Sequence, residues 1–273
     1  MGDLSQVTQL VVVEKGGVEL NVYGIPYADP ERVRDVFSVE VKDFDEAHTY
    51  LVDEIKRVFN ADNNNVLISH CFVDGASESD SEKTLSIGGS DRVSYEPMID
   101  FDYVALGHLH SPQKRGEDYI RYSGSILKYS FSEHKQNKGV TLLEFDKSGL
   151  VKHQHLALKP LRDLRVIEGL LDTLLEQGKT DPNKEDYLSV KITDQTALLD
   201  PLGKLREVYP HVLHLEKTLL TQAMGKTPSR EALNRGEEHM IQDFYKQVTG
   251  NEMTEQQSDI IQNTLKSLHK LEA

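Results

Sequence analysis

Apolar residues recur along the chain at two spacings, and these divide it into predicted strands and helices. Leu10-Val11-Val12-Val13-Glu14, the pair Gly16-Gly17 and Val18-Glu19-Leu20-Asn21-Val22-Tyr23 predict a β-hairpin. Ile25-Pro26-Tyr27 breaks the pattern, and Asp29-Pro30-Glu31 predicts a helix start with proline in the first turn. From Asp45 to Phe59, Ala47, Leu51, Ile55, Val58 and Phe59 recur at helical spacing, and Asn63-Asn64-Asn65 is expected to end that helix. Val66-Leu67-Ile68-Ser69 and Tyr103-Val104-Ala105-Leu106 are short apolar runs of the kind found in buried strands. Between them, Asp74 to Ser90 is rich in Ser, Gly, Asp and Glu and is expected to be a surface loop. Ile120-Arg121-Tyr122 and Gly139-Val140-Thr141-Leu142-Leu143-Glu144-Phe145 predict further strands, closing near Ser148-Gly149.

A different pattern begins near Lys159-Pro160. Leu164–Glu168, Leu170–Gln177 ended by Gly178, Tyr187–Ile192, a helix opened by Asp200-Pro201, and Val212–Leu215 alternate as strand, helix, strand, helix, strand. That order predicts a small α/β domain. In the tail, Met240, Ile241, Phe244 and Val248 share one helical face, and Ile261, Leu265 and Leu268 form a second stripe after the capping-box pattern Thr254-Glu255-Gln256-Gln257. Such short amphipathic helices pack on their own domain or dock on a partner.

Composition narrows the classes. The 273 residues are 38% hydrophobic and 28% charged, the balance of a globular protein, and contain no apolar run of 18 or more. No membrane association is expected, and the start shows neither a signal peptide nor a convincing myristoylation site. A single cysteine, Cys71, excludes an intramolecular disulfide framework and fits a reducing cytoplasm. The net charge of −14 argues against a stand-alone module that holds nucleic acid through phosphate contacts. It leaves open a subunit whose positive charge comes from metal ions or a basic partner.

The candidate chemistry lies at two strand ends. His70 follows Val66–Ser69, and Gly107-His108-Leu109-His110 follows Tyr103–Leu106. Functional groups of α/β sheets collect at the carboxyl ends of strands. Neutral imidazole is a good ligand for Mn, Fe or Zn, so three histidines converging there suit a metal site. Gly107 is expected to give the backbone room to turn. A lone histidine near a strand is more often a hydrogen-bonded structural group, and Gly-His-x-His alone is a moderate signal. Cys71 is a better buried hydrophobe than ligand. His153 and His155 fit a solvated strand face, and His134 and Lys135 a surface loop. Arg32, Arg34, Lys114 and Arg115 are too sparse for a basic patch.

Three blocks together carry a family resemblance: His70-Cys71-Phe72-Val73-Asp74-Gly75; Asp102-Tyr103-Val104-Ala105-Leu106-Gly107-His108-Leu109-His110; and Tyr122-Ser123-Gly124-Ser125-Ile126-Leu127-Lys128-Tyr129-Ser130-Phe131-Ser132-Glu133 with Lys138-Gly139. In order and spacing they resemble the SbcD family, nuclease subunits of bacterial SbcCD complexes within the calcineurin-like metallophosphoesterases. The likeness runs through the whole chain but covers only the latter part of the family's length.

The resemblance implies an α/β fold: a partial metallophosphoesterase β-sandwich flanked by helices, then a small α/β cap domain and C-terminal helices. It implies residues 1–155 as the C-terminal part of the nuclease domain, 156–222 as the cap that helps select DNA shape, and 228–273 as the helical segment binding an SbcC-type ATPase. A homodimer of nuclease subunits is a further expected partner arrangement. The implied activity is double-strand exonuclease and single-strand endonuclease cleavage of DNA, including hairpin opening, in repair, recombination and replication. The implied cofactor is a pair of Mn2+ ions, with His70 and His108 on one ion and His110 on the other. The family's Asp-x-His, Gly-Asp-x-x-Asp and Gly-Asn-His-Asp motifs do not occur in this sequence. An N-terminally truncated or split product is therefore expected, with those motifs encoded upstream, an open sheet edge, no catalytic proton-transfer residue of its own and little or no activity alone. The alternatives are a non-catalytic partner-binding protein and a metallophosphodiesterase acting on small molecules.

Overall fold

The computed structural model describes residues 3–79, 82, 91–194, 196, 198–217 and 237–271. Two compact units divide the chain, Met1–Leu161 and Arg162–Ala273. The loop expected over 74–90 falls mostly outside the described residues, as do positions 222–228 and the side chains of Val248 and Leu268.

In the first unit, strands β1 (Val11–Lys15) and β2 (Val18–Ile25) form the expected hairpin. Helix α1 (Pro30–Phe37) is capped by Asp29, whose side chain accepts the Glu31 N–H at 2.9 Å. Helix α2 (Phe44–Val58) is capped by Asp43, with Asp45 and Glu46 in its first turn where the helix dipole favours negative charge. Strands β3 (Asn64–His70), β6 (Tyr103–Gly107), β7 (Gln113–Arg115) and β8 (Glu117–Tyr122) complete a sheet in the order β1-β2-β3-β6-β8-β7. The pairs β2–β3, β3–β6 and β6–β8 are parallel. A short parallel pair, β4 (Phe72–Val73) and β5 (Arg92–Val93), and a hairpin of β9 (Gly139–Asp146) and β10 (Gly149–Ala157) form two further sheets.

The asparagine run differs from its expected role as a helix terminator. Helix α2 stops at Val58, and Asn64 and Asn65 already belong to β3, where both are buried. They are tolerated because they are bonded: Asn64 Nδ2 donates to the Asp146 carbonyl at 2.8 Å, and Asn65 Nδ2 to the Asn60 carbonyl at 2.8 Å. The Asn65 N–H donates to Asp102 Oδ2 at 2.7 Å, which aligns the starts of β3 and β6.

Strand alternation sets one face of this sheet against the helices. Tyr23, Ile25, Leu67, Val104, Leu106, Ile120 and Tyr122 join Ala47, Leu51, Val52 and Ile55 of α2 in one buried cluster. On the other face the central strand β3 leaves Ile68 51% exposed, and the edge strand β1 exposes Val11, Val12 and Val13. Exposed apolar edges of this kind invite pairing with another chain. On the largely exposed strand β10, His153 Nε2 lies 2.6 Å from Asp118 Oδ2 in an exposed hydrogen bond.

The second unit is a parallel sheet of β11 (Leu164–Gly169), β12 (Tyr187–Ile192) and β13 (Val212–Lys217) in sequence order. Helices α3 (Leu171–Thr180) and α4 (Pro201–Val208) make the crossovers, and Leu171, Leu174, Leu188, Val190, Ile192, Leu205, Tyr209 and Val212 form the core. Helix α3 runs through Gly178 rather than stopping there, since that glycine packs against Val208 and Tyr209 where a Cβ would clash. Arg165 bridges Asp181 at 2.8 Å and Asp186 at 2.7 Å. Helices α5 (Glu237–Thr249) and α6 (Glu255–Leu271) follow. The capping box is realised: Gln257 N–H donates to Thr254 Oγ1, and Thr254 N–H to Gln257 Oε1. Among the described residues no helix is long and apolar enough to cross a membrane.

His48 on α2 is a buried imidazole that the apolar pattern does not register; its Nε2 meets Ser69 Oγ at 2.8 Å. Burial pushes its pKa down from 6.5 to about 4. The unfolded chain therefore binds the extra proton first, and stability should fall as pH drops from about 6.5 to about 4, by roughly 3 kcal/mol at most. The expected result is a thermal midpoint that declines across that window and a shallower decline in His48→Gln. An equally steep decline in His48→Gln would assign the acid sensitivity to other groups.

Candidate metal centre

The parallel ladder between β3 and β6 pairs His70 with Gly107, which sets His70 beside the segment carrying His108. The two imidazole ring centroids lie 5.4 Å apart with planes at 90°. Two imidazoles bound to one ion at about 2.1 Å place their ring centres about 5 Å apart, so this spacing suits a shared ligand. Phe72 stacks on the other side of His108 at 5.9 Å, Arg92 lies over Phe72 at 5.0 Å, and Tyr27 meets His70 edge-on at 6.3 Å. A cavity between them is lined by Tyr27, His48, His70, Phe72, Asp91 and His108 among others.

Backbone strain sits on His108, whose φ is +113°. Non-glycine residues are rarely held in that region, and such strain clusters at functional sites. Gly107 does not take a positive φ. Its lack of a side chain serves a different purpose from the expected turn, since a Cβ there would stand 3.1 Å from His70 Nδ1. Past His70, the chain is stapled by the buried Tyr122, which donates to the Cys71 carbonyl and accepts the Val73 N–H, both at 2.8 Å. Cys71 itself is a buried thiol pushed up to about 12 by burial, so it offers no thiolate.

His110 is held separately and does not line that cavity. Its N–H donates to Glu82, and its carbonyl accepts from the Ser125 N–H at 3.1 Å and from Lys138 Nζ at 2.7 Å. Its Nδ1 lies 3.1 Å from Oε1 of Glu133, a residue of the 3-10 turn Phe131–Glu133 that is 0% exposed. Glu133 in turn pairs with the buried Lys138 at 2.6 Å. The structure thus brings His70 and His108 into contact and gives His110 its own anchoring shell. Asp91, Glu82, Glu133 and Lys138 are neighbours of these histidines that sequence reasoning did not single out as site residues. Glu133 and Lys138 stand within the third motif block, whereas Asp91 and Glu82 flank or lie in a loop with no pattern to mark them.

Electrostatics keep the paired rings neutral. Burial lowers the pKa of His70, and the neighbouring His108 lowers it further. Burial also lowers His108, against the opposing pull of the Asp91, Glu82 and Glu78 carboxylates. A neutral ring keeps the lone pair that a cation needs. The fit to a metal is that of a partial ligand set: among the described residues no group of three or more His, Cys, Asp or Glu can hold an ion.

Residues 160–249 match the family described as SbcD_C, Type 5 capsule protein repressor C-terminal domain. The SbcD subunit of the nuclease SbcCD from Staphylococcus epidermidis is 32% identical over 254 residues, covering 93% of this chain and 67% of that relative. The chain belongs to the SbcD family. Its α/β architecture is consistent with the metallophosphoesterase-like fold expected from the motifs. The SbcD_C match spans the three-stranded sheet and helix α5.

Two outcomes are expected for the paired rings. In an NMR pH titration, the imidazole C–H signals of His70 and His108 should both show midpoints below the ordinary 6.5. Gly107→Ala should leave the circular-dichroism spectrum intact, destabilise by about 1–3 kcal/mol and weaken the ring-to-ring NOE between His70 and His108. An unchanged NOE would mean the His70 ring has room to spare.

Proposed function

We propose that this chain is a subunit of an SbcCD-type nuclease, contributing to metal-dependent hydrolysis of DNA phosphodiester bonds with an SbcC-type ATPase partner. The observation that carries the metal reading is the orthogonal His70–His108 pair at the carboxyl ends of adjacent parallel strands, one of the two on a strained backbone. The staphylococcal relative, named as a subunit of the nuclease SbcCD, supports the activity and the partner.

In this reading His70 and His108 bind one Mn2+ and His110 binds the second. Two bound Mn2+ ions would polarise the phosphate and lower the pKa of an attacking water. The chain's own residues orient the ligands: β3 and β6 fix the spacing of two rings, and the Glu133–Lys138 pair fixes the third. The net charge of −14 makes ions or a partner the source of DNA affinity. Residues 156–222 act as the cap beside the DNA. Residues 228–273 provide the ATPase-binding helices, on which Phe244 and Ile260 are exposed. The activities proposed are double-strand exonuclease, single-strand endonuclease and hairpin cleavage in the cytoplasm, serving DNA repair, recombination and replication, with two nuclease subunits pairing.

Because no three His, Cys, Asp or Glu side chains among the described residues form a group able to hold an ion, the chain alone is a weak or inactive nuclease. That same observation favours the second reading, a non-catalytic protein that engages the ATPase. Isothermal titration with Mn2+ distinguishes them when combined with cleavage of a fluorescent hairpin DNA. The expected result is binding that His108→Ala weakens at least about tenfold, and Mn2+-dependent cleavage in the presence of the ATPase partner. Binding indifferent to both His70→Ala and His108→Ala would end the metal reading. Co-purification with the ATPase without any cleavage would establish the non-catalytic one.

A further inference from the structure

Strand β8 ends at Tyr122, and a loop then leads to the 3-10 turn Phe131–Glu133. Three apolar side chains of that loop, Ile126, Leu127 and Tyr129, are 56%, 47% and 62% exposed. Its backbone is nevertheless tied down along its length. The Ser125 N–H donates to the His110 carbonyl at 3.1 Å, and Gly124, at φ +79°, lies so close that a Cβ there would stand 2.6 Å from the same carbonyl. The Ser125 hydroxyl donates to the Leu127 carbonyl at 2.7 Å and accepts from Lys138 Nζ at 2.8 Å. Farther on, Lys128 Nζ donates to the His134 carbonyl at 2.9 Å and the Tyr129 N–H to Glu133 Oε2 at 3.2 Å. A loop pinned by its polar groups with its apolar groups held in water is the surface of a binding site.

Place, ring and charge together describe the ligand. The loop follows the carboxyl end of β8, which pairs in parallel with β6, and ligands of such sheets bind beyond those ends. The Tyr129 ring stands 5.3 Å from the His110 ring, which supports it on one side, while most of the residue remains in solvent. Residues 123–138 carry Lys128, Lys135 and Lys138 against a single acidic residue, Glu133, in a chain whose net charge is −14. An exposed aromatic ring beside lysines is how proteins hold single strands: the ring takes a base and the ammonium groups attract the phosphates.

We infer that Tyr129 stacks an unpaired base of a DNA strand, with Ile126 and Leu127 against the neighbouring nucleotide and Lys135 toward the phosphates. This rests on the proposed action on DNA and adds a preference to it. Bases inside a duplex are already stacked, and bringing one to the ring costs unpairing energy. The loop therefore favours single strands and hairpin loops over blunt duplex. Tyr129 in this role determines specificity and takes no part in the chemistry.

The test uses the full chain in EDTA with two probes, a single strand about 20 nucleotides long containing 5-iodouracil and a blunt duplex of the same length. Photocrosslinking followed by mass spectrometry is expected to place the single-strand adduct on Tyr129. In fluorescence anisotropy Tyr129→Ala should weaken single-strand binding by about 5–150-fold, whereas Tyr129→Phe, which keeps the ring, should bind as wild type does. Duplex affinity should change little in either variant, a selectivity that a general loss of structure would not give. Adducts confined to other residues would overturn the inference, and the wild-type crosslink decides this even where a variant does not fold. Single-strand affinity indifferent to Tyr129→Ala would overturn it as well. So would a dimer in sedimentation that Tyr129→Ala dissociates without changing DNA affinity, which would give the patch to a second copy of the chain. Because EDTA removes metal, the nuclease reading fails separately: a Tyr129 adduct without any Mn2+-dependent cleavage upholds the stacking site alone, and cleavage without that adduct overturns it alone.

Discussion

The register between strands β3 and β6 is the constraint from which the site follows. Parallel pairing of Val66 with Tyr103 carries forward, residue by residue, to His70 opposite Gly107. A slip by one residue would turn His70 to the helix-packed face and bury an imidazole in the apolar cluster. Two features prevent the slip. Leu67, Val104 and Leu106 must face α2, and the Asn65 N–H is locked to Asp102 at the start of both strands. The energy that places the histidines is thus spent far from them, in core burial and in one part-buried backbone-to-carboxylate hydrogen bond.

At the end of that register the chain departs from regular structure. His70 needs space, and Gly107 gives it; His108 needs an unusual direction, and takes it with a positive φ. Phe72, stacked between Arg92 and His108, and Tyr122, bonded to both sides of the chain after His70, hold the strained segment in place. The imidazoles near the cavity are kept neutral chiefly by burial, while His110 is instead gripped by the buried pair Glu133–Lys138. Buried ion pairs give little net stability but are costly to break. One at this position holds a ring in a single orientation.

The second unit follows a simpler logic. Three parallel strands with two crossover helices bury one apolar layer, and the charges that enter it, such as Arg165 between Asp181 and Asp186, come in pairs. Beyond it, α5 and α6 present Phe244 and Ile260 to solvent. Exposed apolar side chains on a short helical segment are what a partner-binding surface requires.

Much of this was legible in the sequence because it depends on local spacing. The apolar runs before His70 and His108 mark buried strands, the Asp-Pro pairs mark helix starts, and the alternation after residue 160 marks an α/β domain. The three histidines stood out because each follows the carboxyl end of such a run. What depends on residues distant in sequence did not show. Asn64 and Asn65 read as a helix breaker, since their bonds to Asp146 and Asp102 exist only once the sheets assemble. His48 carried no signal in the apolar pattern; its burial against Ser69 exists only once α2 packs on the sheet. The sequence by itself determined the elements and the identity of the ring nitrogens available. The tertiary structure alone decided that His70 and His108 face each other, and that Glu133 reaches His110 across 23 residues. The reason is that side-chain pairing across strands depends on register and burial, which no local pattern records.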